Sequence, residues 1–335
     1  MTNTEQNLWL ILAQAISGQE TSLADFDDDK ILEQANLHGI PQLLNSQVQA
    51  GTLSGVGDGL IEQLKSESFR SAAFDMTMNA ATCKTLDLLA EREIPALLLK
   101  GTPVAHLYYP ATYLRTRCDT DIYIREHDLE KAIAVLSGDD YHISKSENRE
   151  ISSKQFVAAM PSAQNSYIHF DVHWKLSNRV MFQHTLPFDE CLETSQPVPS
   201  LGPNAMALSK TDLLIHACIH RIAHGRNTQR NRLIWLYDIH LVFEAMDELE
   251  KSDFLAAARQ KEVATLCADA LEVCHATLGT AVPDGYIKEM KEGSEKEPSA
   301  KLIGSSKLRW AWEDMQSLGS LSEKIAFARE LLFDR

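Results

Sequence analysis

The chain has 335 residues and a formal net charge of −15, with 44% apolar and 24% charged residues. This composition is typical of a globular protein that buries a full hydrophobic core. The acidic balance disfavours binding to nucleic-acid backbones and anionic lipid, and no block of Lys and Arg offsets it. No apolar stretch reaches the length that spans a bilayer. We therefore expect neither nucleic acid nor a membrane as a partner.

The N-terminus and the cysteines indicate a compartment. The first residues lack the basic start and the small-residue cleavage site of a signal peptide. The six cysteines include no CxxC pair and are expected to be reduced thiols. Both observations predict a cytoplasmic protein.

Helical and strand-like patterns alternate along the chain. Residues 1–92 carry apolar residues at helical spacing, interrupted by the Gly-rich turn GTLSGVGDG. The short apolar run IPALLLKG then predicts a buried strand, TPVAHLYY a short helix and DTDIYI a second strand. An amphipathic helix follows, and KQFVAAM and SYIHFDVHW are further strand candidates. This alternation predicts a small mixed α/β unit over residues 93–204.

From residue 205 to 335 the pattern is helical again. Ser209 and Asp212 are spaced as a capping box at the start of the first of these helices. The charged segment KEMKEGSEKEPSAK, interrupted by Gly and Pro, is predicted to be a mobile loop. The whole chain is thus predicted to have an α+β fold, with a small mixed β-sheet core at 93–204 between helical regions at 1–92 and 205–335.

Two carboxylates stand on the strand DTDIYI. Asp119, Asp121 and Tyr123 share one face of this strand, because side chains alternate across a strand. The two aspartates have Cα atoms about 6–7 Å apart and would repel each other unless a cation lies between them. Mg²⁺, or Mn²⁺ in its place, prefers such oxygen ligands. The alternative is a pair of solvated acids at the end of a strand.

The strand SYIHFDVHW repeats this pattern. His169, Asp171 and His173 share one of its faces. If this strand neighbours DTDIYI, Asp171 becomes a third carboxylate on the same cleft, as metal ligand or as general base. Three acidic groups suit two metal ions that bracket an in-line displacement at phosphorus. A solvent-facing strand acid is the alternative for Asp171.

The turn LLLKGT and the two arginines that follow it suit phosphate. The turn brings backbone N–H groups, Lys100 and the Thr102 hydroxyl to a helix start, where phosphate binds well. Arg115 and Arg117 could neutralise phosphate oxygens as planar bidentate donors. Lys100 has the alternative of pairing with one of the aspartates.

Three histidines form a stripe on a later helix. His216, His220 and His224 recur every four residues, and HxxxH is a possible zinc spacing. No HExxH arrangement or suitably spaced Cys accompanies them, so a zinc hydrolase ranks third among the functions considered. We expect the stripe to support the site, hydrogen-bonded to groups such as Asp238, with at least one ring facing the cleft. His173 is a further supporting candidate.

Five segments carry a resemblance to a known family. LLLKGTPVAHLYYP, YLRTRCDTDIYI, IHFDVHW, LLIHACIH and LIWLYDIH resemble the uncharacterised bacterial nucleotidyltransferases of the DNA polymerase beta superfamily. The resemblance implies that Asp119 and Asp121 bind metal. The positions that it places at the nucleotide phosphates are Lys100, Gly101, Thr102 and Arg115. Here Thr102 stands where the superfamily usually has Ser.

These observations predict a metal-dependent nucleotidyltransferase. It would transfer a nucleoside monophosphate from an NTP, such as ATP, to a hydroxyl of an acceptor that the sequence does not identify. The alternative is a catalytically inactive domain of the same fold that binds a nucleotide or a protein. Trp235 and Tyr237 are predicted to belong to the core.

Overall fold

The computed structural model describes residues 3–145, 151–162, 166–224 and 231–333. Helices dominate this part of the chain. The longer α-helices are α1 (Asn3–Ile16), α2 (Asp28–His38), α3 (Pro41–Ala50), α4 (Asp58–Ala90), α5 (Gly101–Tyr108), α6 (Leu129–Gly138), α7 (Phe188–Glu193), α8 (Lys210–His224), α9 (Leu233–Glu244), α10 (Glu248–Gln260), α11 (Ala264–Leu278), α12 (Tyr286–Lys291), α13 (Lys307–Ser317) and α14 (Leu321–Phe333).

The strands form one large sheet and one two-stranded ladder. The strands are β1 (Thr21–Ser22), β2 (Leu53–Ser54), β3 (Ala96–Leu99), β4 (Asp119–Ile124), β5 (His142–Lys145), β6 (Gln155–Pro161), β7 (Tyr167–His173), β8 (Gln196–Pro197) and β9 (Met206–Ala207). The large sheet has the order β5-β6-β7-β4-β3-β9-β8, and β1 pairs with β2 apart from it. β4 runs parallel to β7 and antiparallel to β3, so the sheet is mixed. The predicted α+β class is confirmed.

The two faces of the sheet contribute to different cores. Ile122 and Phe170 point to a smaller core that includes Leu89 of α4 and Leu136 of α6. Tyr123, from the opposite face of β4, belongs to a larger core that extends from α1 to α13. The alternation predicted for DTDIYI is confirmed, and the aspartates therefore face the helical C-terminal region.

One predicted loop is wrong. Within residues 288–301 the chain continues α12 and then forms short 3-10 helices at Ser294–Lys296 and Pro298–Leu302. Glu297 fastens this segment to the start of α11. Its carboxylate accepts hydrogen bonds from the backbone N–H groups of Ala264 at 3.2 Å and Thr265 at 3.0 Å. The composition of the segment does not show that one of its carboxylates caps the start of α11, so the sequence favoured a solvated loop.

The start of α8 is capped as its sequence predicts. The Ser209 hydroxyl accepts the backbone N–H of Asp212 at 3.2 Å and donates to the Asp212 carboxylate at 2.9 Å. Among the described helices, none combines the length and the apolarity that crossing a bilayer requires.

Candidate active site

The register between two parallel strands brings the acidic residues together. On β4 and β7, Asp121 lies directly opposite Asp171 and Asp119 lies opposite His169. Ligand atoms of Asp121, Asp171 and His173 all lie within 4.8 Å of one another. The predicted pairing of the two strands is confirmed. Asp119 precedes this cluster on the same face of β4 and is not part of it.

The sequence predicted only a supporting role for His173, but the structure places it within the acidic cluster. Its Nε2 lies 2.8 Å from Oδ1 of Asp121, and its side chain is 3% exposed. Its Nδ1 is buried and has no hydrogen-bond partner among the described residues. An imidazole held in this way can bind a metal ion or orient a carboxylate.

Lys100 occupies the same corner. Its Nζ lies 2.5 Å from Oδ1 of Asp121. The backbone of Lys100 has φ 55° and ψ −131°, a left-handed conformation rare for a residue with a side chain, which turns the chain sharply from β3 into α5. Burial opposes the charge on Lys100, but attraction to Asp121 outweighs it and raises the pKa of the ammonium group.

The carboxylates differ in charge balance. Burial would raise the pKa of Asp121, but Lys100 and the hydrogen bond from His173 hold it well below its usual range. Burial and repulsion by Asp121 and Asp171 raise the pKa of Asp119 to about 6. The corner therefore carries more negative charge than Lys100 neutralises, which is the condition under which a cation binds.

A relay of side-chain amides fixes the orientation of Asp171. The Gln155 amide donates to Oδ2 of Asp171 at 2.7 Å, and Asn178 donates to the Gln155 carbonyl at 2.7 Å. Asn178 in turn accepts the backbone N–H of Lys154 at 3.1 Å. One carboxylate oxygen of Asp171 is thus tied to β6 and to the segment after β7.

Arg115 is positioned by the second helical region. Its Nε and Nη2 donate to the carboxylate of Asp238 on α9 at 2.9 and 2.7 Å, and the Tyr109 hydroxyl donates to the same group at 2.8 Å. A Cβ on Gly101 would lie 3.0 Å from Cζ of Arg115. Glycine at the start of α5 therefore lets the guanidinium lie against the turn that follows β3.

Arg117 and Thr102 bond to the scaffold. Arg117 bonds to Asp75 and Asn79 on α4 and to the Thr102 hydroxyl at 3.1 Å. Thr102 is 2% exposed, and its hydroxyl lies 3.4 Å from that of Thr120 on β4. The hydroxyl and the guanidinium that were predicted at phosphate thus fasten α5 to α4 and β4, and their phosphate contact stays a prediction.

A cavity of about 270 Å³ opens beside the acidic corner. Asp119, Asp121 and Lys100 line one end of it, and His216 and His220 of α8 form part of its wall. The His216 and His220 rings lie 6.4 Å apart. The structure thus places both histidines toward the cleft, whereas the side chain of His224 lies outside the described residues.

Comparison with known families adds a separate observation. A family model described as "Uncharacterised nucleotidyltransferase" matches residues 24–279. The chain belongs to this family. No curated protein matches the chain in sequence. The match extends from before α2 to the end of α11. It therefore covers helices that precede and follow the sheet in the chain, as well as the motifs.

Sequence reasoning missed two residues that line the cavity. Gly39, at the junction of α2 and α3, and Arg232, just before α9, both line it. Trp235, predicted to be core, is partly buried against the larger core and also lines the cavity, with its ring 4.9 Å from that of His220. No local motif marks these residues, because helices distant in sequence bring them together.

Proposed function

We propose that this chain transfers a nucleoside monophosphate from an NTP to a hydroxyl group of an acceptor. The observation that carries the proposal is the pairing of Asp121 with Asp171 across β4 and β7, because Asp121 lines a cavity that Lys100 and Arg115 also line. Carboxylates on one side and cations on the other are what phosphoryl chemistry requires of a site. Membership of a nucleotidyltransferase family supports this interpretation.

The residues present fit a divalent cation. Burial and repulsion by Asp121 and Asp171 raise the pKa of Asp119, and a bound cation would relieve that repulsion. Asp121, Asp171 and His173, whose ligand atoms lie within 4.8 Å of one another, would hold the ion, and Asp119 on the same face of β4 would add a further carboxylate. When bound, Mg²⁺ or Mn²⁺ would neutralise charge on the phosphate oxygens.

The protein's own groups then have distinct roles. Lys100 and Arg115 bind phosphate oxygens of the NTP, and Gly101 leaves room for the polyphosphate beside the helix start. Asp171, with one oxygen held by Gln155 at 2.7 Å, accepts the proton from the acceptor hydroxyl as its oxygen attacks the α-phosphorus. Pyrophosphate leaves on the opposite side.

One observation favours the second candidate, a domain that binds a nucleotide without catalysis. Lys100 pairs with Asp121 at 2.5 Å and His173 lies 2.8 Å from the same carboxylate, so Asp121 has protein partners without a metal ion. A nucleotide-binding module needs no more than this, so the experiment must separate binding from transfer.

The test uses α-labelled and γ-labelled NTPs in parallel. The protein is incubated with each NTP, Mg²⁺ or Mn²⁺ and cell extract as the source of acceptor. We expect label in a product only from the α-position, because the terminal phosphates leave as pyrophosphate. Transfer from the γ-position would indicate a kinase-type reaction instead, and metal-dependent binding without transfer would favour the second candidate.

Asp121→Asn and Asp171→Asn should abolish transfer while the fold is kept, as circular dichroism would show. Asp189→Asn is the matched control, because Asp189 lies in an exposed ion pair with Arg125 outside the cavity. Equal transfer by the Asp121 and Asp189 variants would contradict the assignment of the acidic corner.

A further inference from the structure

Arg232 differs from the other cations that line the cavity. The charge of Lys100 is paired with Asp121, that of Arg115 with Asp238 and that of Arg117 with Asp75. Within the described ranges, Arg232 forms no ion pair with a carboxylate, and its Nε is buried without a hydrogen-bond partner. The sequence immediately before it, residues 225–230, contains no Asp or Glu. A partly buried guanidinium without a counterion is costly unless an anion binds beside it.

The side chain of Arg232 is held in place. Its Cζ lies 5.2 Å from the ring centroid of Trp235, a cation–π contact on α9. On the other side, a Cβ on Gly39 would lie 3.1 Å from its Nη2. Gly39 ends α2 with φ 72°, so the same glycine serves the turn and leaves room for the guanidinium. The cation is thus positioned by two helices.

Arg232 lies close enough to Arg115 for the two guanidinium groups to repel each other. Burial lowers the pKa of Arg232, and repulsion by Arg115 lowers it further. Asp119 and Asp121 line the same cavity as Arg115 and Arg232. A ligand bound in the cavity therefore meets carboxylates that suit a metal ion and guanidinium groups that suit phosphate.

We propose that Arg232, next to Arg115, binds the terminal phosphate of the NTP. This inference rests on the proposed function, since the reaction places the α-phosphorus at the acidic corner. The nucleoside is uncharged and gives no reason for a cation held in place by two helices. The β- and γ-phosphates carry the remaining negative charge, and a guanidinium binds such oxygens with two parallel N–H groups.

The test is a binding titration with inorganic tripolyphosphate, the four NTPs and the four nucleoside monophosphates, all with Mg²⁺. Arg232→Gln should weaken the affinity for tripolyphosphate and for the NTPs by about tenfold to a hundredfold, the effect of one charge-assisted contact. The affinity for the monophosphates should stay within about twofold. Arg125→Gln is the matched control, because the Arg125 guanidinium also lies 5.2 Å from an aromatic ring, that of Phe188, but outside the cavity.

The outcomes separate this inference from the proposed function. Loss of tripolyphosphate affinity in Arg232→Gln would support it even if no transfer is ever detected. Unchanged affinity, or an equal loss for monophosphates, would overturn it, as would wild-type protein that does not bind tripolyphosphate. If Arg232→Gln does not fold, Arg232→Lys is tested instead, because it keeps the charge but not the planar guanidinium. We expect a severalfold loss of affinity for tripolyphosphate, and no loss would overturn the proposal.

Discussion

Asp238 is the residue on which the position of Arg115 depends. The Arg115 and Asp238 side chains are 11% and 8% exposed, and Tyr109 donates a third hydrogen bond to the same carboxylate. Removing one partner leaves the other charge buried without compensation. We expect Asp238→Asn to lower the free energy of unfolding by about 3 kcal/mol.

Chemical denaturation of the variant would measure this effect, and a surface pair provides the comparison. Arg125 and Asp189 form the same type of ion pair, with side chains 27% and 73% exposed. Asp189→Asn should cost less than about 1 kcal/mol, because water screens an exposed pair. Similar costs for the two variants would show that Arg115 does not need Asp238.

His38 makes stability depend on pH. It is 4% exposed, and burial together with the nearby Arg232 lowers its pKa to about 4, from 6.5 in an unfolded chain. Between pH 4 and pH 6.5, the unfolded chain therefore binds a proton at His38 and the folded protein does not. The contribution of neutral His38 to stability is complete above pH 6.5 and is lost as the pH falls toward 4.

The loss should amount to about 3 kcal/mol across this window, given roughly 1.4 kcal/mol per pKa unit. His38→Gln should flatten the fall in the free energy of unfolding, measured by urea denaturation at several pH values. His127→Gln, at a histidine with a side chain 75% exposed, should follow the wild-type curve. A wild-type slope in His38→Gln would argue against a neutral buried imidazole.

At the scale of elements, the turn from β3 into α5 forms the part of the cavity wall where we propose that phosphate binds. Gly101→Ala would place a Cβ 3.0 Å from Cζ of Arg115, and the bidentate bond to Asp238 keeps the guanidinium from moving away. We expect NTP affinity to fall by about tenfold, or roughly 1.4 kcal/mol, since one charge-assisted contact is displaced.

The comparison variant is Gly138→Ala, near the end of α6, where an added Cβ meets nothing within 4 Å. It should leave NTP affinity unchanged and raise the melting temperature slightly, because alanine favours helix over glycine. Calorimetric titration of both variants measures the difference. Equal affinity in the two would mean that Arg115 does not contact the nucleotide.

Helices and strands could be predicted where residues close together in the sequence determine them. The alternation in DTDIYI predicted which residues of β4 face the cleft, and the Ser209–Asp212 spacing predicted the start of α8. The loop prediction for 288–301 was wrong because the partners of Glu297 lie on α11, 33 residues earlier. Local composition carries no information about such a distant partner.

At the scale of the whole molecule, one hydrophobic core connects the three predicted regions. The larger core contains Leu12 of α1, Leu97 of β3 and Leu271 of α11. In addition, the Trp9 indole donates to the carbonyl of Asn231 at 3.1 Å, which joins α1 to the segment before α9. The division at residues 92 and 204 remains a sequence prediction, and this core predicts that the regions unfold together.

We expect a single unfolding transition in urea, with coincident midpoints from tryptophan fluorescence and far-UV circular dichroism. Trp9→Phe should shift both midpoints together. Two separated transitions, or loss of helix before the fluorescence change, would show that the helical regions are independently stable domains.

The sequence by itself determined much of the local structure and which kinds of side chain lie at the candidate site. Side-chain alternation, helical periodicity and the Lys-Gly turn are local properties, so β3, α5, β4 and the acidic residues could be predicted from the residues alone. Tertiary structure decided which residues meet. The register of β4 with β7 placed Asp171 opposite Asp121. The packing of α2 against the start of α9 brought Gly39 to Arg232, and no local spacing encodes that contact because 193 residues, 232 − 39, separate them.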